Sequence, residues 1–406
     1  MLDAPLHEFT FNYLQHIETN NKKKYLKTIK WIKAHSQKRF PKLGNWILAG
    51  SGNYEKTIAN GKYRETCNTI RDKVSCSHHL EKGFKVILNH CSKLDCVACF
   101  TYGASERARE IDRVMRDYQR QAKSHGLKIG NIMHVILVPK KDLTTEIFRD
   151  YRQFLKFRRK EIYNKLKECG IFGGYVVTHA WSLRCKNCGE KEQNCKCEGT
   201  RLDWEINVHF HILGFGYLLN TSKFKKKYRD WVVINAGRRK TAYNTAFYLL
   251  THCAMWRNHK GRLMSAYEPF GVLRGNKFKV TGKEVKVVKL TCPHCKAPLR
   301  RVIEGVELIG DSPKILTTQD LKTQSYLQDN FVHNGNLQVK IVPEKVTLGR
   351  EVTYRRSRTK REIQNVEELN QLILKNRKSY LADLKEKRMR NERNSREVHN
   401  QGNGYG

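Results

Sequence analysis

Acidic residues are scarce, with Asp and Glu numbering 39 against 78 Lys and Arg, which leaves a formal charge of +39. Self-repulsion on that scale opposes a compact chain unless a polyanion screens it, so an ordinary neutral metabolic enzyme is not the favoured reading and a phosphate polymer is the expected partner. No apolar run approaches the ~20 residues that a membrane helix needs. The opening stretch MLDAPLHEFTFNYL carries Asp3 and lacks a basic start followed by a long apolar segment, so no secretory signal is expected. No Gly-x4-Gly-Lys-Ser/Thr stretch occurs, so a phosphate loop of helicase type is missing. No long-period repeat is visible either. What remains is a soluble, intracellular protein of about two to three domains with no membrane partner.

Cysteine is plentiful instead, with 13 residues clustered at short spacings. In a reducing compartment this usage suits metal ligation better than a disulfide framework. Cys91, Cys96 and Cys99 follow a C-x4-C-x2-C spacing, and Cys76, His78 or His79 upstream can complete a tetrahedral zinc site. Cys185, Cys188, Cys195 and Cys197 are sufficient for a second closed site. Cys292-Pro-His-Cys295 reads as half a zinc knuckle whose other half is open, with Cys67 and Cys76 as remote candidates. Cys169 and Cys253 read as core residues. Structural Zn2+ in these clusters would rigidify loops that hold or read DNA.

Composition and periodicity divide the chain into five stretches. Residues 1–65 are basic, with Leu26, Ile29 and Ile32 at helical spacing. Residues 66–127 hold a Cys/His-rich zinc module that leads into a basic amphipathic helix marked by Ala108, Ile111, Met115 and Tyr118. Residues 128–256 read as a core of strands and helices: NIMHVILVP, GGYVVTHAWSLR and LDWEINVHFHILGFG as strands, a helix ending on Gly170, and a Cys-rich hairpin tip at 184–200. A second helix there has Ala242, Ala246, Leu249, Leu250 and Cys253 as its apolar stripe. Residues 257–353 alternate like β structure around Cys292 and Cys295. From 354 to 406 dense charge and few apolar residues predict an isolated helix fraying into disorder.

Chemistry concentrates in Val208-His209-Phe210-His211-Ile212. Alternation along a strand turns His209 and His211 to one face and Phe210 to the other, so the two imidazoles form half of a metal site. If 173–184 pairs with 201–213 as a hairpin, His179 stands beside them as a third ligand; His134 in the first strand is the alternative, and register decides between them. The following helix carries Tyr243 and Tyr248, five residues and therefore about 140° apart. They face different directions, so a single tyrosine is expected to act as nucleophile.

An apolar strand, a His-hydrophobic-His strand and a tyrosine helix, in that order, resemble the HUH endonucleases, in particular the rolling-circle replication initiators of plasmids and viruses. CSKLDCVACFTYGASERA is similar to the Cys-rich segment preceding the nuclease core in one plasmid group, and YLLTHCA resembles the tyrosine motif of archaeal members. The likeness spans residues 91–256, over a third of the chain. It implies an α+β fold: an HUH-type nuclease domain with a central antiparallel sheet flanked by helices, zinc-binding insertions and a basic helical C-terminal tail. It implies Mn2+ or Mg2+ on His209, His211 and His179, and Tyr248 joined covalently to a 5′ phosphate. The implied activity is nicking and joining of single-stranded origin DNA, in the cytoplasm of a prokaryotic host that supplies polymerase and helicase. A transposase or relaxase with the same site is the nearest alternative, and a non-catalytic zinc-dependent nucleic-acid-binding protein is the other. The chain departs from the family in its first strand, which lacks the usual Thr residues. It departs again after the tyrosine, where Thr251 and His252 stand in place of a Lys three residues on.

Overall fold

The computed structural model describes residues 41–50, 70–79, 85–88, 90–96, 99–140, 146–189, 195–197, 202–219, 221–265, 267–302, 307–309, 314–315, 338–340 and 348–402. The Lys-rich helix expected around Leu26, and Cys67, lie outside the described residues. The chain is mixed α+β with antiparallel sheets. Its two compact units interleave along the sequence, one drawing on 50–103 and 282–360, the other on 40–49, 104–281 and 361–406. Among the described residues no helix is long and apolar enough to cross a membrane.

The unit containing 104–281 is organised by a five-stranded antiparallel sheet. Its strands are β1 (Ile132–Pro139), β2 (Ile171–Cys185), β3 (Leu202–Gly216), β4 (Trp231–Arg239) and β5 (Tyr267–Gly271), in spatial order β5-β2-β3-β1-β4. β2 and β3 are 15 residues each and pair as the expected hairpin. Phe210 and Ile212 on β3 enter an aromatic core with Phe154, Ile162, Leu166, Trp46 and Phe148, all buried. On the opposite face, α1 (Phe100–Ser124) buries Ala108, Ile111, Met115 and Tyr118, and Tyr118 stacks on Phe215 at 5.4 Å. His209 and His211 share the face of Phe215 by alternation.

The helix expected to end at Gly170 is broken into pieces, although its stop is as read. A 3-10 turn at Ile147–Arg149 gives way to a helix at Tyr151–Phe157, because Asp150 is extended and its carboxylate accepts from Arg152 N at 2.7 Å as an N-cap. A π-turn at Arg158–Ile162 then widens the helix before Tyr163–Glu168. This places Arg158, which is buried, against Glu268 of β5, with Arg159 and Arg274 also facing that carboxylate at 3.7 and 3.4 Å. Gly170 follows at φ +84°, where a Cβ would collide with the carbonyl of Tyr217.

The tyrosine helix α2 (Tyr243–Thr251) buries Ala246, Leu249 and Leu250, as its stripe predicts, yet Ala242 at its N-cap has no side chain to cap it. Asp112 of α1 supplies the cap from a distant part of the chain, accepting from the Ala242 and Tyr243 amides at 2.8 and 3.3 Å. Arg116 pairs with the same carboxylate at 2.7 Å.

The expectation of an isolated, fraying tail from 354 needs correction. Thr353–Ile363 is a strand paired with Phe278–Lys289, and α3 (Val366–Gly402) follows it. Leu369 and Ile373, four residues apart, give α3 a short buried stripe, and Asn376 Oδ1 accepts from Tyr217 N at 3.0 Å. The few apolar residues suffice because they share one face.

In the unit containing 282–360, Leu348–Glu351, Arg300–Val302, Ile70–Ser75 and Lys85–Leu88 form a four-stranded antiparallel sheet in that order. Its small core is Val74, Cys76, Cys292, Leu299 and Val352.

Asp112→Ala removes the only side-chain cap on α2 among the described residues. It is expected to lower stability by about 1–2 kcal/mol in urea unfolding, whereas Asp112→Asn, which keeps an acceptor, loses less.

Candidate functional site

Register decides which histidines meet. His179 pairs with His209 and Val177 with His211 across β2 and β3, so three imidazoles converge on one sheet face. One ring nitrogen from each of His179, His209 and His211 lies within 4.8 Å of the others. A bulge between His179 and Trp181 interrupts the ladder beside the cluster, the kind of irregularity that re-aims side chains.

Hydrogen bonds orient two of these rings for ligation. His179 Nε2 donates to the Leu249 carbonyl of α2 at 3.0 Å, which leaves Nδ1 with the lone pair. His209 Nδ1 donates to the Asn207 carbonyl at 2.7 Å, which leaves Nε2. His211 is held differently, its Nδ1 2.9 Å from His134 Nε2. Arg239 Nη2 donates to His134 Nδ1 at 3.1 Å, and a guanidinium can only donate. The proton of a neutral His134 therefore sits on Nε2, aimed at His211, and an ion at His211 would have to reverse that bond. So His134, the alternative third ligand, is placed behind His211 as its partner.

Burial, and then repulsion by His252, His211 and His209, hold His179 well below the ordinary imidazole range. His134 is pushed down to about 4 by burial and by Arg239. His252 is pushed down to about 3 by burial and then by His209. These imidazoles are neutral at pH 7, the form that binds metal. No carboxylate of a described residue joins the cluster. An all-imidazole donor set suits ions of the zinc, iron or nickel class better than Mg2+.

Tyr248 and Tyr243 occupy different settings. Tyr248 is 60% exposed, and its ring meets that of His252 edge-on at 4.4 Å between centroids; His252 in turn lies 4.3 Å from His179. The Tyr243 hydroxyl is engaged by Ser105 Oγ at 2.9 Å. The helix thus presents Tyr248 over the histidines and ties Tyr243 to α1. The sequence reading noted His252 only as part of the departure after the tyrosine and gave it no place at the histidine cluster. Its only signal was its position four residues after Tyr248, one helical turn on.

Ten of the twelve described cysteines form three groups. Cys185, Cys188, Cys195 and Cys197 gather at the β2–β3 hairpin tip, with Cys188 and Cys195 sulfurs 3.6 Å apart. Neighbouring Cys188 and Cys195 push the Cys197 thiol up to about 12. Cys91, Cys96 and Cys99 also come together, but Cys76 does not join them. It belongs with Cys292 and Cys295, its sulfur 3.5 Å from that of Cys295. The reason is sheet pairing: Ser75 sits opposite Arg300, which brings the two Cys-bearing turns to one end of the four-stranded sheet. Backbone N–H groups of Cys295 and His294 lower Cys292 to about 7, favouring the thiolate that ligates metal. Beside Cys99 stands His90, whose Nδ1 is 3.8 Å from Cys99 Sγ and whose ring stacks on Tyr102 at 4.1 Å. A wider search for ligands, admitting the residue just before Cys91, would have found it. These groups can hold a metal ion such as zinc.

Compared with protein-family models, curated proteins and solved structures, the chain matches none.

Metal analysis of purified variants checks this grouping. His90→Ala and Cys188→Ser are each expected to lower zinc content by roughly one equivalent. Cys76→Ser combined with Cys292→Ser should lose no more metal than either alone, while Cys76→Ser combined with Cys91→Ser should lose twice as much.

Proposed function

We propose that this protein nicks and rejoins single-stranded DNA through Tyr248, and that it does so to start rolling-circle replication. The observation that carries the reading is the exposed Tyr248 ring, in contact through His252 with the three-imidazole cluster of His179, His209 and His211. The net charge of +39 supports a polyanionic substrate.

Tyr248 Oη would form the new bond to phosphorus as the bond from phosphorus to the 3′ oxygen breaks. The phenol proton passes to solvent, which reaches the exposed ring, and the departing 3′ oxygen takes a proton back. The products are a 5′-phosphotyrosine and a free 3′ hydroxyl, and attack by such a hydroxyl on the phosphotyrosine reverses the step and joins the strand. A divalent ion, when bound by the three histidines, supplies charge to the phosphoryl oxygen. Leu249 and Asn207 fix two of the ligating tautomers through their carbonyls. Asp112 acts as a positioning residue by capping the helix that carries the nucleophile. The free 3′ hydroxyl suits priming of a host polymerase, with a host helicase for unwinding.

Single-stranded oligonucleotides from the protein's own replicon, labelled at the 3′ end, test the reading with Mn2+, Mg2+, Zn2+ and Ni2+ in turn. A denaturation-resistant adduct is expected that persists in Tyr243→Phe and falls on the order of a thousandfold or more in Tyr248→Phe. An adduct undiminished in Tyr248→Phe removes this nucleophile. No adduct from folded, zinc-loaded protein that binds DNA removes the activity.

A further inference from the structure

The pairing of Phe278–Lys289 with Thr353–Ile363 creates a two-stranded ribbon, most of whose 282–289 and 353–360 portion is exposed. Strands this long ordinarily bury one face, because a lone pair of strands is marginal in water. Here Val285 and Val287 are 57% and 63% exposed, and Tyr354 is exposed as well. The ribbon is nonetheless held at its ends. Phe278 is buried and meets Tyr118 edge-on at 5.2 Å, and Gln121 brackets the other strand, donating to Arg361 O at 2.6 Å and accepting from Ile363 N at 3.0 Å. At the far end Leu290 N donates to Val352 O at 3.0 Å, beside the core of Cys76 and Cys292. An exposed paired element of this kind is placed for a partner.

Charge names the partner's chemistry. Residues 282–289 and 353–360 carry seven basic side chains, Lys283, Lys286, Lys289, Arg355, Arg356, Arg358 and Lys360, against one acid, Glu284. Glu284 is paired with Lys286 at 3.1 Å and Lys289 with Glu351 at 2.7 Å. Lys283, Arg355 and Arg356 form no ion pair among the described residues and stand exposed. Shape then separates duplex from single strand. Single strands are gripped by rows of aromatic rings, and this portion of the ribbon has one aromatic residue, Tyr354. The major groove of a duplex admits a two-stranded ribbon, and apolar side chains there meet thymine methyl groups. At ~3.3 Å per residue, the eight-residue exposed portion spans roughly 26 Å, about three quarters of one duplex turn.

We propose that this ribbon is a docking element for double-stranded DNA, separate from the histidine and tyrosine site, with its lysines and arginines on phosphates and its valines toward the groove. It extends the nicking reading, and rests on it for its purpose: a nickase must hold the duplex beside the strand it cuts.

The test uses the full, zinc-loaded chain and a fluorescein-labelled random duplex of about 30 bp, with an oligo-dT of the same length, across a range of salt. One variant combines Lys283→Ala, Lys286→Ala, Arg355→Ala and Arg356→Ala. A second, matched in charge, combines Lys385→Ala, Lys387→Ala, Arg388→Ala and Arg393→Ala on α3. The ribbon variant is expected to lose about tenfold or more in duplex affinity and to flatten the log–log salt slope by about 2–4, with oligo-dT binding changed less. The α3 variant is expected to lose under about threefold. Equal losses in the two variants, no loss in the ribbon variant, or a loss confined to oligo-dT would each overturn the proposal. Nicking of single-stranded oligonucleotides is read in parallel. Its absence in the wild type, with the ribbon effect intact, would sink the nickase reading and leave the docking element standing.

Discussion

One strand register underlies the candidate site. Opposing His179 to His209 puts three imidazoles on the same patch of sheet, and a slip of one residue would turn the histidines of one strand to the other face. The same hairpin carries four cysteines at its tip, where Cys185 closes the ladder opposite Leu202. An ion gripping those thiols would lock the loop length and so the register, six residues along β2 from His179. The cysteine group and the histidine group, different in chemistry, would then share one geometric duty. Everything above them follows from that patch: α2 is bound to it through the Leu249 carbonyl, and Tyr248 rides on α2.

How much of this was legible in the sequence depended on how local the cause was. His209 and His211 could be placed together because strand alternation needs no tertiary information. His179 required only the guess that two neighbouring runs form a hairpin. The stripe of α2 was readable for the same reason, since Ala246, Leu249 and Leu250 repeat at helical spacing. The different settings of Tyr248 and Tyr243 were not, because the residue that engages the Tyr243 hydroxyl, Ser105, lies more than a hundred residues upstream. Arg239 and His134, which set the proton on the far side of His211, are likewise joined only by sheet pairing.

The cysteines teach the same lesson from the other side. Spacing alone grouped Cys91, Cys96 and Cys99, and grouped the four at the hairpin tip. It left Cys76 between two groups, placing it first with Cys91, Cys96 and Cys99 and only as a remote candidate with its actual partners, Cys295, 219 residues away in the chain, and nearby Cys292. Two similar turns, Cys76 with His79 and Cys292 with Cys295, face each other only after four strands from remote parts of the sequence have paired. The misread tail has a related cause. Composition counts charges, whereas α3 docks by two apolar residues and one asparagine that happen to share a side.

Interleaving of the two units has a consequence for how the chain emerges during synthesis. Every strand of the five-stranded sheet lies between residues 132 and 271, so that sheet can close while the later third of the protein is still unmade. Cys76 is made early and must wait, its thiol unpartnered, until Cys292, Leu299 and Val352 have followed. Loop closure over such a span is slow to nucleate. The five-stranded sheet can thus be complete before the last strand of the four-stranded sheet, Leu348–Glu351, has been made.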